Sequence, residues 1–374
     1  MSNRDPERVS LAFVLDATSP RFSRRSFLGT LAFASAAGFV AACGGKSSGS
    51  GSGTEAKTLN LFNWTDYIAP ETVPGFERET GIRVTYDTFA SNDELVAKME
   101  GGGVGYDIII PTDGILPRLR RSDLLRELDL TLIPNITNLE DRFRSADYDP
   151  GNRYSVPWQW GTTGIGYDPE ATGAEVDDWD GFDLASVRGR SSFLDEARDA
   201  FGMALFRLGR DPNTTDPDQL DEARDLLIDL KRRIKAITSD YQEPLKSGEL
   251  VLAQAFSGDV FQVQTETPRI RYTIPRSGAF QYADVMAIPA DAPHPDNAHA
   301  FMNYVLEPEV GAALTNYVRY GSPNRAALPF IDRDIVEDPL IYPPATILDK
   351  LSFLKDLGET ELEYSDRWTE IKTA

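Results

Sequence analysis

Apolar and polar positions alternate along the chain with two periods, and the order of the resulting segments predicts an α/β fold. Short apolar or alternating runs indicate strands at 59–62, 82–89, 106–111, 154–160, 164–167, 191–194, 250–256 and 285–289. Helical spacing indicates helices at 74–80, 93–100, 195–208, 218–235, 299–306, 308–317 and over 342–372. Because the run at 106–111 is apolar throughout, it is typical of a strand buried on both faces of a sheet. Strands that alternate with helices favour α/β layers.

The first 42 residues follow a different pattern, which is typical of an export signal. Arg24 and Arg25 precede an apolar run over 28–42 that is too short to span a bilayer permanently. We therefore predict a removable twin-arginine signal peptide over 1–42. A buried N-terminal helix is the alternative, but the run has no amphipathic stripe and a Gly/Ser-rich stretch follows it.

The apolar run ends in Val40-Ala41-Ala42-Cys43-Gly44, which resembles a lipobox, where small residues fit a signal peptidase and the cysteine thiol takes a diacylglycerol. Residues 43–57 are then a lipidated flexible tether, since they lack the apolar side chains needed for a core. We expect an exported protein, lipid-anchored at Cys43 on the periplasmic or extracytoplasmic face of the cell membrane.

Composition excludes several classes of function. The formal net charge is −21, so nucleic acid would be repelled. Cys43 is the only cysteine, which excludes an internal disulfide and, once it carries a lipid, thiol catalysis. His294 and His299 are the only histidines, and their Pro/Asp/Asn-rich surroundings predict a solvated surface. We expect no metal, no cofactor and no catalytic residues.

Nine segments of the chain, in order and spacing, carry a resemblance to a known family. They are 61–67, 79–84, 91–92, 106–111, 154–157, 160–167, 195–199, 287–289 and 320–324. Together they resemble the polyamine-binding (spermidine/putrescine-binding) extracellular components of ABC transporters, over about 59–372. The resemblance implies a protein that captures a polyamine and delivers it to a membrane permease driven by a separate ATPase, as a monomer and without chemistry on the ligand.

The resemblance also implies the two-lobed type II periplasmic-binding-protein fold, with the ligand in a cleft between two α/β lobes. One lobe is expected at 58–162 with 285–330, and the other at 163–284 with 331–374. This division agrees with the size of the chain beyond the tether, which is enough for two domains of ordinary size.

A polyamine needs separated carboxylates for its ammonium groups and aromatic walls for its methylenes. Glu196 and Asp199, spaced i, i+3, share a helix face, although acids in a first helical turn also stabilise a helix by about 0.3–1 kcal/mol without any ligand. By resemblance, the ligand-binding residues are Trp64, Thr65, Asp66, Tyr67, Thr112, Glu196, Asp199, Phe256, Tyr282, Asp284 and Tyr320.

The chain departs from the family pattern at three positions in or near the expected site. Gly114 stands where a tyrosine is usual, Phe256 where a tryptophan is usual, and Leu354 or a neighbour where a glutamine is expected to meet an amine. Putrescine-like or spermidine-like ligands are favoured over sugars.

Three other functions remain open at this point. A carrier of the same fold for iron or another small solute is one, although iron carriers commonly use adjacent tyrosines and the chain has no Tyr-Tyr pair. An enzyme derived from the fold, such as a thiaminase-like transferase, would need a free cysteine nucleophile. An adhesion or structural lipoprotein would bind no amine.

Overall fold

The computed structural model describes residues 56–102 and 105–374, so the predicted signal peptide, Cys43 and nearly all of the tether lie outside the described residues. Within that part of the chain the strands are β1 Thr58–Trp64, β2 Arg83–Phe89, β3 Ile108–Ile109, β4 Ser155–Tyr167, β5 Ser191–Phe193, β6 Ala236–Ile237, β7 Leu252–Phe256, β8 Arg271–Thr273 and β9 Gln281–Ala287.

The helices are α1 Thr72–Thr80, α2 Asn92–Glu100, α3 Leu116–Arg121, α4 Pro169–Thr172, α5 Ala197–Arg207, α6 Pro217–Lys231, α7 Gln242–Ser247, α8 Ser257–Glu266, α9 Pro295–Val305, α10 Pro308–Val318, α11 Arg333–Val336, α12 Ala345–Leu348 and α13 Thr360–Thr373. Short 3-10 helices lie at Leu130–Leu132, Pro134–Asn138, Asp141–Phe143, Trp179–Asp183, Ala185–Val187 and Arg325–Phe330. The α/β class predicted from the sequence is confirmed. No helix in the described part of the chain is long and apolar enough to cross a membrane.

The nine strands form one sheet in the order β2-β1-β3-β9-β4-β7-β5-β6, with β8 also on β4. In the first half, β1 pairs in parallel with β2 and β3, and β9 joins antiparallel to β3 and β4. In the second half, β4 pairs antiparallel with β7 and β8, while β5 is parallel to both β6 and β7. Strands β4 and β9 therefore occupy the middle of the sheet.

Strand β4 is continuous over 13 residues, so the prediction of two strands separated by a crossing at 161–163 is wrong. Its pairing with β9 runs to Thr162, and its pairing with β7 takes over at Thr163. The glycines that suggested a break instead allow close packing. A Cβ on Gly161 would lie 2.8 Å from Ser257 Oγ, and one on Gly164 would lie 2.3 Å from the Thr273 carbonyl oxygen.

Each half of the sheet carries its own buried clusters. Phe76, Ile108 and Phe301 belong to the principal cluster of the first half, while Phe193 and Phe201 belong to that of the second. These side chains are shielded from water, and apolar burial of this kind is the main favourable term in folding. The two halves of the sheet are therefore packed separately.

His299 lies in the core of the first half, so its predicted place on the surface is wrong. It is 4% exposed, its Nε2 accepts the Asp129 N–H at 2.9 Å, and its Nδ1 lies 2.6 Å from the Pro295 carbonyl oxygen. Helix α9 begins at Pro295 rather than at His299, which places this residue on the inner face of the helix. His294 is half-buried, with its Nδ1 3.1 Å from Asp107.

The segment 349–359, here called the strap, is not helical, although a helix was predicted over 342–372, and its middle is extended at Ser352. Ser352 pairs with the strand that leads into β9, since its N–H donates to Ala279 and its carbonyl accepts from Gln281. A backbone engaged in this way cannot make helical hydrogen bonds. The predicted helix is therefore reduced to α12 and α13 on either side of the strap.

Candidate ligand-binding site

The middle of the sheet carries Asp284, a carboxylate held by two hydroxyl groups. Tyr67 donates to its Oδ2 at 2.8 Å, and Thr112 donates to its Oδ1 at 3.0 Å. The residue is 4% exposed. Burial raises the pKa of Asp284 to about 7. The hydrogen bonds from the two hydroxyls act to lower this pKa, and the charges of Asp259 and Asp199 act to raise it further. Asp284 is thus oriented, desolvated and close to its titration point at neutral pH.

A turn after β1 brings the predicted aromatic residue Tyr67 to this carboxylate. Asn63 is fully buried and holds the turn, since its Oδ1 accepts from the Trp64 N–H at 2.8 Å and its Nδ2 donates to the Tyr67 carbonyl at 3.2 Å. Trp64 is half-buried, and its Nε1 is shielded from solvent without a hydrogen-bond partner. Thr65 and Asp66 are exposed, and Asp66 has a left-handed φ of 54°.

The second half of the sheet presents Asp199 from the first turn of α5. Thr163, on β4, donates to its Oδ1 at 2.8 Å, and Gln254 donates to its backbone carbonyl at 2.8 Å. Burial raises the pKa of Asp199 to about 6, although Thr163 and Arg198 act to lower it. The i, i+3 spacing with Glu196 thus places both acids at the start of one helix.

Glu196 occupies the position just before α5 and caps no backbone N–H of that helix. It is half-buried, but its Oε1 is sealed from solvent and has no partner. Burial, reinforced by Asp199, raises the pKa of Glu196 well above its ordinary value, while the backbone N–H of Asn92 acts to lower it. A free, sealed carboxylate oxygen is costly to bury, which indicates a site built for a further partner.

Asp259, which the sequence interpretation missed, forms a second carboxylate held by two hydroxyls. Tyr320 donates to its Oδ1 and Tyr241 to its Oδ2, both at 2.7 Å. Burial raises its pKa. Its sequence signal is weak: it lies three residues after Phe256, in the first turn of α8, where an acid also favours the helix dipole.

Asp113 is a second acid that the sequence interpretation missed. It is 1% exposed, its Oδ1 accepts from the Gly114 N–H at 2.9 Å, and its Oδ2 has no partner. Burial, followed by the charge of Asp284, raises its pKa well above the ordinary value. Its sequence signal is weak, because it follows the predicted strand 106–111 in a loop, where aspartate is common for conformational reasons alone.

Aromatic rings pack around the two hydroxyl-held carboxylates. Tyr67 and Tyr320 meet edge to face with ring centroids 4.7 Å apart, and Phe256 meets Tyr282 in the same way at 5.4 Å. The Tyr282 hydroxyl is buried without a partner. The Tyr320 ring lies against Gly258, where a Cβ would come within 2.0 Å of it. The structure thus brings together four of the predicted aromatic residues, Tyr67, Phe256, Tyr282 and Tyr320, whereas the Trp64 ring packs against Phe89.

These acids, three of them buried and two (Glu196 and Asp259) half-buried, share one electrostatic property. The members are Asp113, Glu196, Asp199, Asp259 and Asp284, and the pKa of each is raised mainly by burial. Among the ion pairs of residues 56–102 and 105–374, none ends on any of the five. Buried carboxylates without a cation carry a large desolvation cost, so the site is suited to a cationic ligand.

Two of the departures from the family pattern are neighbours in space. A Cβ on Gly114 would lie 2.9 Å from the Leu354 Cβ and 3.8 Å from the Leu354 carbonyl oxygen. Asn213 fixes the strap on both sides of Leu354, donating to the Phe353 carbonyl and accepting from the Lys355 N–H, both at 2.9 Å. The strap therefore reaches the loop that carries Thr112 and Asp113, and the missing side chain at Gly114 makes room for it.

Comparison with known proteins agrees with this geometry. Residues 71–343 match the family described as bacterial extracellular solute-binding protein. The chain is 36% identical over 342 residues to the putrescine-binding periplasmic protein PotF of Escherichia coli, covering 85% of this chain and 92% of the relative. It is 31% identical over 320 residues to the spermidine/putrescine-binding periplasmic protein of Salmonella typhimurium, covering 84% and 91%.

Solved structures give the same result. A putative spermidine/putrescine ABC transporter from Listeria monocytogenes superposes with a TM-score of 0.81 at 34% identity, covering 85% of this chain and 99% of that one. The spermidine/putrescine substrate-binding protein PotD of Streptococcus pneumoniae superposes with a TM-score of 0.74 at 32% identity, covering 85% and 99%.

Proposed function

The chain belongs to the bacterial extracellular solute-binding protein family, and on that premise we propose that it captures a polyamine, a putrescine-like or spermidine-like cation, for an ABC importer. As a member of this family it is a substrate-binding protein that serves transport, and it is not an enzyme. The observation that carries the proposal is the group of five carboxylates, three of them buried and two half-buried, that form no ion pair within the described residues.

The chemistry of the site fits protonated amines. Asp199, Asp259 and Asp284 each accept one or two hydroxyl hydrogen bonds, and a carboxylate has about four lone-pair positions, so each keeps acceptor capacity for an ammonium group. Trp64 and Phe256 are half-buried rings suited to methylene groups and cation–π contact. The relatives, a putrescine-binding and a spermidine/putrescine-binding periplasmic protein, support the same ligand class.

The proposed transport mechanism follows from membership of the family. The two lobes, 58–162 with 285–330 and 163–284 with 331–374, close on the amine by a hinge motion, and the closed monomer docks on a membrane permease driven by its ATPase. Support for a division near these boundaries comes from β4, which changes its pairing from β9 to β7 at 162–163. The twin-arginine signal would direct export and then be removed, and the lipid on Cys43 would hold the protein at the outer face of the membrane; both lie outside the described residues.

Calorimetric titration of the exported chain with Cys43→Ser, which cannot take a lipid, tests the proposal. Putrescine and spermidine should bind, whereas butane-1,4-diol, which has the same length but no charge, should not. Fe(III) and a small carboxylate anion are titrated as further ligands. If either of them binds and neither amine does, the proposal is contradicted.

Variants of the site complete the test. Asp284→Asn and Asp199→Asn should weaken amine binding by about 10-fold or more, since a hydrogen bond to a charged group contributes about 1.5–3 kcal/mol. The matched control is Asp291→Asn, an exposed acid in the loop before α9, which should bind as the parent does. Equal losses in all three variants would show that only the overall charge matters.

A further inference from the structure

Asn92, the first residue of α2, pairs with Thr112 through both ends of its carboxamide. The Thr112 N–H donates to the Asn92 Oδ1 at 3.3 Å, and the Asn92 Nδ2 donates to the Thr112 Oγ1 at 3.1 Å. The orientation of the carboxamide is determined, because the reverse orientation would point an NH₂ group at the Thr112 N–H. The amide nitrogen therefore faces the hydroxyl.

The direction of the next hydrogen bond follows from this pairing. A hydroxyl group has a single proton, and a lone pair of the Thr112 Oγ1 is taken by the Asn92 amide. The proton is then free to point at the Asp284 Oδ1, 3.0 Å away. Since Tyr67 already donates to the Oδ2 of Asp284, each carboxylate oxygen receives one donor. The amide, hydroxyl and carboxylate form a chain of hydrogen bonds with one polarity.

The start of α2 is rigid enough to support this role. Ser91 is extended, with φ −151° and ψ 155°, and its side chain accepts from the Glu94 N–H at 3.2 Å as a helix cap. Thr112 also pairs with Asp284 as an isolated β-bridge. Both partners of the chain of hydrogen bonds are therefore fixed by backbone contacts.

We propose that Asn92 is a positioning residue for the ligand carboxylate Asp284: it forces the Thr112 hydroxyl to donate, and so sets the pH range over which Asp284 accepts an ammonium group. The inference rests on the proposed function, since it concerns the same site. Asn92 itself need not touch the ligand. Its effect on binding passes through Thr112. The other groups that act on the titration of Asp284 are left in place in the variants below; they are the Tyr67 hydroxyl and the carboxyl groups of Asp113, Asp199 and Asp259.

Asn92→Asp tests the polarity of the chain of hydrogen bonds with little risk to the fold, because an acid in the first turn of a helix is favourable. The new carboxylate still accepts from the Thr112 N–H, but it also accepts the hydroxyl proton, so Asp284 loses a donor. We expect the pH midpoint of putrescine binding, measured by titration calorimetry from pH 5 to 9, to rise by about one unit, or about tenfold in Kd on the acidic limb.

The added charge of that variant must be separated from the loss of the donor. Thr112→Val removes the hydroxyl, so Asn92→Asp in the Thr112→Val background keeps the charge effect and loses the effect through Thr112. The proposal expects a larger shift in the parent than in Thr112→Val, whereas equal shifts, or none in the parent, would overturn it.

Failure of the proposed function would be recognised separately. If the parent binds no amine at any pH, the polyamine proposal is wrong. The parent, Asn92→Asp, Thr112→Val and the double variant are then compared by the pH dependence of their melting temperatures without ligand. A midpoint that moves with Asn92→Asp in the parent and not in Thr112→Val supports the role of Asn92 even then, and identical midpoints refute it.

Discussion

Single residues determine how the site responds to pH. The pKa values of Asp199 and Asp284 are raised to about 6 and about 7, and a bound ammonium favours the ionised form of each. We therefore expect the affinity for putrescine to fall as pH drops from 8 to 5, with protons released on binding between these values. Titration in two buffers of different ionisation enthalpy measures that release. A pH-independent affinity with no proton release would contradict the assignment of these acids.

The same two acids predict a pH dependence of stability in the ligand-free protein. Their pKa values in the folded protein lie above the ordinary value of 3.8, so the folded state binds more protons than the unfolded state between about 4 and 7. Stability should thus be greatest near the acidic end of this window and decrease as pH rises through 6 and 7. Melting temperatures with and without putrescine test this, and the ligand should stabilise most at pH 8. Asp284→Asn should flatten the profile.

At this scale the sequence identified residue types better than contacts. The structure brings Tyr67, Thr112 and Asp284, three residues that the resemblance names for ligand binding, into one hydrogen-bonded group that the sequence did not predict. Asp259 was missed because its hydroxyl partners are distant along the chain, the nearer being 18 residues away and the other 61. Such contacts arise from tertiary packing, and no local spacing encodes them.

Among the secondary-structure elements, the start of α8 constrains the aromatic side of the site. Gly258 leaves room for the Tyr320 ring, and its replacement by alanine would place a Cβ within 2.0 Å of that ring. We expect Gly258→Ala to destabilise the protein by about 1–3 kcal/mol, the usual cost of overpacking, and to weaken ligand binding. Denaturant unfolding and calorimetry measure the two effects.

Tyr320→Phe is the matched control for that variant, because it keeps the ring and removes only the hydroxyl donated to Asp259. It should cost less stability, although its effect on binding should remain. If Gly258→Ala is as stable as the parent, the ring has another position available and the packing argument fails.

The strap gives a second prediction at the scale of elements. Because a Cβ on Gly114 would lie 2.9 Å from the Leu354 Cβ, Gly114→Ala should lower the melting temperature and Leu354→Gly should relieve the clash. The double variant should then be less destabilised than the sum of the single ones, as expected for residues in contact. Strict additivity would show that the strap does not press on this loop.

Element prediction succeeded where the periodicity was local and failed where long-range pairing decided the conformation. The end of α1 at Gly81 follows from a glycine with φ 69°, whose N–H bonds to the Glu77 carbonyl. The continuity of β4 and the non-helical strap depend on β9, β7 and Ala279, which lie far along the chain. A single sequence does not show such partners.

For the whole molecule, the fold class could be predicted from the order of elements, and the family from nine spaced segments. A protein with net charge −21 repels anions and attracts cations over a distance that salt limits. The association rate constant of a charged amine should therefore fall as ionic strength rises, whereas its dissociation rate constant should change less.

The five tryptophans are placed so unequally that the protein contains its own optical reporter. Trp158, Trp160, Trp179 and Trp368 are at most 4% exposed in the cores, whereas Trp64 is half-buried at the site with an unpartnered Nε1. Ligand entry should change the polarity around one indole ring alone. Tryptophan emission should respond to putrescine in the parent and stay constant in Trp64→Phe. Ligand binding could then be followed without a label.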